Sequence, residues 1–196
     1  MAKHPKQLIL SSASPRRAEL LKRMGLCFLI RPTNVLEDDS GLHGPIKMVE
    51  NNARLKASTL SMDVPDSLVL GSDTTVSIDN TVLSKPKDII EAHQMLMMLS
   101  GRAHTVFTAV ALYWESGSLN HVFTERSEVH FKTLKRDTIE HYIRLVNPLD
   151  KAGAYGIQEG RELIIDRIEG STENVMGLPI QKLENVLHKL EFNFRS

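Results

Sequence analysis

Cysteine occurs once in this 196-residue chain, at Cys27. Without a partner it excludes an internal disulfide framework and any cysteine-based zinc site, and it points to a reducing compartment. Such a residue is expected to be a small buried hydrophobe. An excess of either charge is also missing, because 24 Lys+Arg stand against 24 Asp+Glu. That balance argues against a broad basic surface for nucleic acid or an anionic membrane, so any anion site must be local. Long hydrophobic runs are absent too. Leu8 to Leu10 is too short for a signal segment or a span, and nothing later approaches about 18 apolar residues. There is no Asn-x-Ser/Thr acceptor. These absences together suggest a soluble, cytoplasmic protein.

What is present is enough for a core. Hydrophobic residues make up 41%, and a chain of this length should bury roughly 70% of its unfolded surface in one domain. No repeat or linker divides it, so residues 1–196 are expected to form a single domain. Patterning predicts a short strand at Gln7–Leu10, then a helix at Ser14–Met24 with Ser14 as N-cap, Pro15 at its first position and Gly25 closing it. Further helices are expected at Val49–Leu60, at Asp88–Leu99 with an Asp88/Glu91 capping pair, at Arg136–Val146 and at Pro179–Leu190. Strands are expected at Leu68–Ile78, Thr105–Trp114, His121–Phe131 and Leu163–Ile168. Early alternation of strands and helices, followed by an antiparallel pair, implies an α/β fold: a mixed twisted sheet flanked by helices, with two lobes around a central cleft.

The segment LILSSASPRRAELL runs from strand through a serine-rich turn into a helix, and it puts Arg16 and Arg17 in the first helical turn. The macrodipole is positive there, so two cations are unfavourable unless an anion sits among them. Backbone donors, the hydroxyls of Ser11, Ser12 and Ser14, and two guanidinium groups make a phosphate cradle. Surface ion pairs with Glu19 or Glu37 are the plainer alternative.

In Gly71-Ser72-Asp73-Thr74-Thr75 one carboxylate interrupts a strand that should be buried. Asp73 can bind a divalent cation, act as general base toward water, or merely open an Asx-turn onto Thr75. Lys56, in a helical stretch, and Lys85, beside a turn, are candidate phosphate ligands, although isolated lysines are usually just solvated. The glycine-rich stretch from Asp150 to Gln158 reads as a shaped loop. In it Gln158 can address a base edge with its amide or simply cap the surface. Walker A, the dinucleotide glycine fingerprint and the nucleophile elbow are absent, and the eight histidines show no zinc spacing. Met95, Met97 and Met98 are expected in the core.

SASPRRAELL, GSDTTV, LSKPKD with LSGRAHTVFTAVAL, PLDKAGAYGIQ and NVMGLP occur in this order between residues 7 and 190. Five ordered motifs of this kind resemble the Maf family of nucleoside triphosphate pyrophosphatases. The resemblance implies a two-lobed α/β fold, usually a homodimer, that hydrolyses a nucleoside triphosphate to the monophosphate and pyrophosphate with a divalent metal, Mg2+ or Mn2+. It makes Asp73 the proton acceptor and, with Glu37, a metal ligand. Ser12 (or Ser11), Arg17, Lys56 and Lys85 fall at phosphate-binding positions. Arg16, Thr74 and Gln158 fall where branches differ in substrate, and together they look like the branch acting on dTTP and UTP, possibly modified pyrimidines, rather than the 7-methyl-GTP branch. The chain departs from the pattern at Ser72, where Ala is usual, at Asn52, where an apolar residue is common, and at 170–174, which lacks the usual aromatics. A nucleotide-binding regulator of septum formation with little hydrolysis is the alternative that the resemblance leaves open.

Overall fold

The structure is a computed structural model describing residues 4–195. Its centre is a mixed sheet. Strand β1 (Leu8–Ser11) runs parallel to β2 (Phe28–Ile30) on one side and to β3 (Leu68–Ile78) on the other. Two-residue turn Asp79-Asn80, with positive φ at both positions, folds β4 (Thr81–Leu83) back onto β3. Beyond β3 follow β5 (Ala103–Trp114), β6 (Leu119–Phe131) and β7 (Ile165–Glu169), each antiparallel to its neighbour. The helices are α1 (Pro15–Arg23), α2 (Pro45–Ser61), α3 (Ile89–Leu99), α4 (Arg136–Leu145), α5 (Arg161–Ile164), α6 (Thr172–Met176) and α7 (Ile180–Lys189).

Alternation along the strands decides which helix each residue meets. Leu8, Leu10, Leu68, Leu70, Val110 and Leu112 face α1 and α7. Ile9, Val69, Ala109 and Ala111 face the opposite way, onto α2. Burial on both sides explains why these strands read as continuous apolar runs. The far ends of β3 and β5, at Val76, Ile78 and Val106, belong to another core with α3 and α4. β3 therefore passes through both lobes, and Ser72–Thr75 lies between them. Among the described residues no helix is long and apolar enough to cross a membrane.

The mixed sheet, the flanking helices and the Asp88/Glu91 cap are as expected; Asp88 Oδ1 accepts from the Glu91 N–H at 2.8 Å. Other expectations need correcting. Cys27 is exposed, because it precedes the edge strand β2 rather than entering a core. Met95 is buried, but Met97 and Met98 are exposed on α3. The Ser14 side chain makes no capping bond; the Ser14 N–H instead donates to Ser12 Oγ at 3.2 Å. α2 begins at Pro45, earlier than expected, and the stretch expected as a strand from Leu163 starts as the short helix α5. β2, β4 and α6 are too short for patterning to detect.

Candidate active site

A cleft of about 570 Å³ opens between the lobes, within the range of about 300–1,000 Å³ usual for small-molecule sites. The β1–α1 turn supplies Ser12, the first turn of α1 supplies Arg16 and Arg17, β3 supplies Asp73 and Thr74, and α2 supplies Lys56. Glu37, Lys85 and much of the loop from Asp150 to Gln158 also line it.

Strand alternation sends Asp73 toward α2 and its neighbours Ser72 and Thr74 toward α1. Asp73 is only 8% exposed. Its Oδ1 accepts from Lys56 Nζ at 2.8 Å, and its Oδ2 accepts from Asn52 Nδ2 at 3.0 Å. Lys56, also buried, donates to the Ser72 carbonyl at 3.3 Å as well and forms an ion pair with Glu37 Oε2 at 2.5 Å. The ammonium of this expected phosphate ligand is thus engaged by protein oxygens. One ammonium between two carboxylates leaves a net negative charge on this side of the cleft. The Asx-turn alternative does not hold, because Asp73 lies in mid-strand, paired with Ala109.

On the other face, Arg17 donates from Nε to the Gly177 carbonyl at 2.9 Å, from Nη1 to Ser12 Oγ at 3.1 Å and from Nη2 to Thr74 Oγ1 at 3.1 Å. Thr108 donates its hydroxyl to the Asn174 carbonyl at 2.8 Å, so at their 3.0 Å contact Thr74 is the donor to Thr108. The order Arg17, Thr74, Thr108, Asn174 is therefore fixed by donor count. Ser12 Oγ accepts from both Arg17 and the Ser14 N–H, which leaves its own proton for an incoming anion. Burial lowers the pKa of Arg17; Asp73 and Glu37 oppose this, and Arg16 adds to it. A cationic pair under that strain favours an anion beside it.

Arg16 reaches Asp150 Oδ2 at 3.3 Å rather than Glu19 or Glu37. Glu19 instead accepts from Gln158 Nε2 at 3.2 Å, so the amide carbonyl is its unengaged end. Tyr142 shapes this loop by donating to the Gly156 carbonyl and accepting from the Gly156 N–H, both at 3.0 Å. Burial pushes its phenol up to about 12, so it keeps its proton at neutral pH.

A sequence profile described as Maf-like protein matches residues 7–190. The chain belongs to the Maf family. It is 44% identical to a dTTP/UTP pyrophosphatase of Moorella thermoacetica, over 92% of this chain and 93% of the relative. It is 38% identical to one of Dictyoglomus thermophilum, over 96% and 98%. The fold is shared with the Ham1 protein of Staphylococcus aureus at a TM-score of 0.56 and 13% identity, over 94% of this chain and all of the other.

In this Maf protein the motifs converge on one cleft, although they are spread from residue 11 to residue 177. Lys85 lines it, exposed and with no ion pair among the described residues. Lys151, which pairs with Asp150 at 2.6 Å, and Tyr155 also line the cleft, and neither carries a local sequence signal. Asn52 stands out in the sequence only as a departure from the family pattern, although its position one helical turn before Lys56 places it on the same face. Away from the cleft, His130 Nε2 lies 3.0 Å from Glu128 Oε1 and 3.2 Å from Glu169 Oε1. Spacing does not reveal this set, since Glu169 arrives through β6–β7 pairing. Arg167 also donates to that Glu169 oxygen at 3.2 Å, so the cluster already carries its own countercharge.

Proposed function

We propose that this chain is a nucleoside triphosphate diphosphatase that hydrolyses dTTP and UTP, and modified pyrimidine triphosphates of similar shape, to the monophosphate and pyrophosphate, clearing them from the nucleotide pool. The observation that carries this reading is the buried Asp73 carboxylate, held at both oxygens and opening onto a cleft that also presents Arg16, Arg17 and Lys85. The relatives named dTTP/UTP pyrophosphatase supply the choice of base.

Asp73 takes the proton of the water that attacks the α-phosphorus. Arg16, Lys85, the two unengaged N–H bonds of Arg17 and the Ser12 hydroxyl hold the phosphates, so catalysis rests on positioning and charge. Lys56 sits between the carboxylates of Asp73 and Glu37 and holds them side by side. Gln158, with its amide turned by Glu19, offers its carbonyl to the N–H on the edge of uracil or thymine. Arg16 and Thr74 complete the selection, Thr74 acting through its hold on Arg17.

The donor set suits a divalent cation. Two carboxylates share one ammonium, each oxygen keeps a free lone pair, and Mg2+ is commonly held by one or two carboxylates together with substrate phosphates. Asp73 and Glu37 would hold it. When bound, it neutralises charge on the triphosphate. A homodimer in the cytoplasm belongs to the same reading; apolar Ile89, Ile90, Met97 and Met98 exposed on α3 support the dimer, which light scattering tests.

The decisive experiment is pyrophosphate release from a panel of dTTP, UTP, dCTP, GTP and 7-methyl-GTP with Mg2+ or Mn2+, repeated with Asp73→Asn. Turnover of dTTP and UTP above the others is expected, falling at least about 100-fold in the variant while nucleotide binding persists. Binding by the wild type without pyrophosphate release would favour the septum-regulator alternative. Full turnover by Asp73→Asn would remove Asp73 from the chemistry.

A further inference from the structure

Asn52 is 2% exposed and its side-chain amide is unusually well engaged. Oδ1 accepts the Asp38 N–H at 2.9 Å, and Nδ2 donates to the Asp38 carbonyl at 2.9 Å. Two bonds to one residue's main chain imitate a rung of β-ladder and tie the segment after Glu37 to α2. The second Nδ2 hydrogen goes to Asp73 Oδ2 at 3.0 Å. Lys56, on the next turn of the same helix face, holds Asp73 Oδ1 and Glu37. Asn52 and Lys56 therefore each grip both parts of the carboxylate pair: Asp73 on the strand, and the Glu37–Asp38 segment of the loop.

We propose that Asn52 is a positioning residue for the Asp73 carboxylate, fixing the direction of its Oδ2 and the place of the Glu37-bearing segment relative to it. The inference rests on the reading that Asp73 does chemistry in this cleft. Lys56 alone grips one oxygen, and a carboxylate held at one oxygen can still turn about χ2. The donor at Oδ2 removes that freedom. Because neither Asn52 nor Asp38 belongs to the cleft lining, losing the amide should disturb the reacting geometry without weakening the hold on the nucleotide. An amide is required, since only a group with an acceptor and two donors makes all three bonds.

The test compares Asn52→Leu, similar in size but without polar atoms, with Asn52→Asp, which keeps the acceptor for the Asp38 N–H but turns an oxygen toward Asp73 Oδ2 and the Asp38 carbonyl in place of the amide donor. Both are assayed with dTTP and Mg2+ beside wild type and Asp73→Asn, and urea unfolding reports whether each is folded. Outer partners of this kind typically change activity about 10–100-fold. A kcat loss of that size is expected in Asn52→Leu, with KM, and the Kd of a non-hydrolysable dTTP analogue without metal, within about threefold of wild type. Hydrogen exchange at the Asp38 amide should rise in Asn52→Leu and stay closer to wild type in Asn52→Asp, while kcat falls at least as far in Asn52→Asp. If Asn52 only tethers the loop, Asn52→Asp will keep kcat within about threefold, and the proposal fails. It also fails if Asn52→Leu changes KM and Kd with kcat intact. If Asn52→Leu does not fold, the Asn52→Asp result decides. An inactive Asp73→Asn beside a fully active Asn52→Asp sinks this inference alone, whereas an active Asp73→Asn sinks the site reading beneath it.

Discussion

Arg17 joins three distant parts of the chain: the β1–α1 turn at Ser12, the strand at Thr74 and the carbonyl of Gly177. A guanidinium makes these contacts with a flat fork of donors, which an ammonium lacks. Arg17→Lys should therefore cost about 2 kcal/mol of stability in urea unfolding, since bonds to a charged donor contribute about 1.5–3 kcal/mol each and lysine recovers part of them. A change below about 0.5 kcal/mol would mean these bonds contribute little to the folded state. The sequence pointed to Arg17 through its position at the wrong end of a helix dipole. It did not disclose that much of the residue's bonding is internal. Lys56 shows the same limit: its place on a helix was legible, but its partners Glu37, Ser72 and Asp73 come from other segments of the chain.

At the scale of elements, α2 and β3 build the Asp73 side of the cleft by packing close together. A Cβ placed on Gly71 would lie 2.4 Å from the Ala53 carbonyl oxygen and 2.8 Å from the Ala57 nitrogen. Both clashes are with helix backbone, which cannot turn away as a side chain would. Gly71, Ala53 and Ala57 let the helix approach until Asn52 and Lys56 touch Asp73. Gly71→Ala should destabilise the protein by about 1–3 kcal/mol, the usual cost of overpacking, and should slow turnover in the folded fraction by moving that helix face away from Asp73. Activity per folded molecule equal to wild type would show that the close packing serves stability alone. The elements themselves were mostly legible, because a long apolar strand and a capped helix carry local signals. β2, β4 and α6 were not, because three to five residues offer no period and such elements form only once neighbours supply partners.

For the whole molecule, neutrality proves to be an average. Arg16, Arg17, Lys56, Lys85 and Lys151 line the cleft against Glu37, Asp39, Asp73 and Asp150, with Arg16 and Lys151 paired to Asp150 on one side and Lys56 set between Glu37 and Asp73 on the α2 side. Stability of the α3–α4 lobe carries a pH dependence. His104 is buried, with its Nε2 2.7 Å from the Tyr155 hydroxyl and its ring edge-on to Phe131 and Tyr155. Burial, helped by His130, lowers its pKa from the ordinary 6.5 to about 3. Between these values the unfolded chain binds a proton that the folded chain refuses, so stability falls as pH drops below about 6.5, by up to about 1.4 kcal/mol per pH unit from this group. Urea unfolding at pH 7, 6 and 5 should show a shallower decline in His104→Gln than in wild type. Parallel declines would place the acid sensitivity elsewhere.

By itself, the order of residues determined the helices and strands with local periods and caps, the mixed class of the sheet, and the motifs that make up the cleft. These follow from short-range sterics, hydrogen-bond geometry and hydrophobic spacing, which act within a few residues. Only the tertiary structure decided that Lys56 faces carboxylates, that Arg16 meets Asp150, that Cys27 lies at an exposed edge, and that Asn52 grips Asp73. Each of these depends on how elements distant in sequence come together, as strand parity and the close approach of α2 to Gly71 do for Asn52 and Lys56, and no window along the chain contains that information.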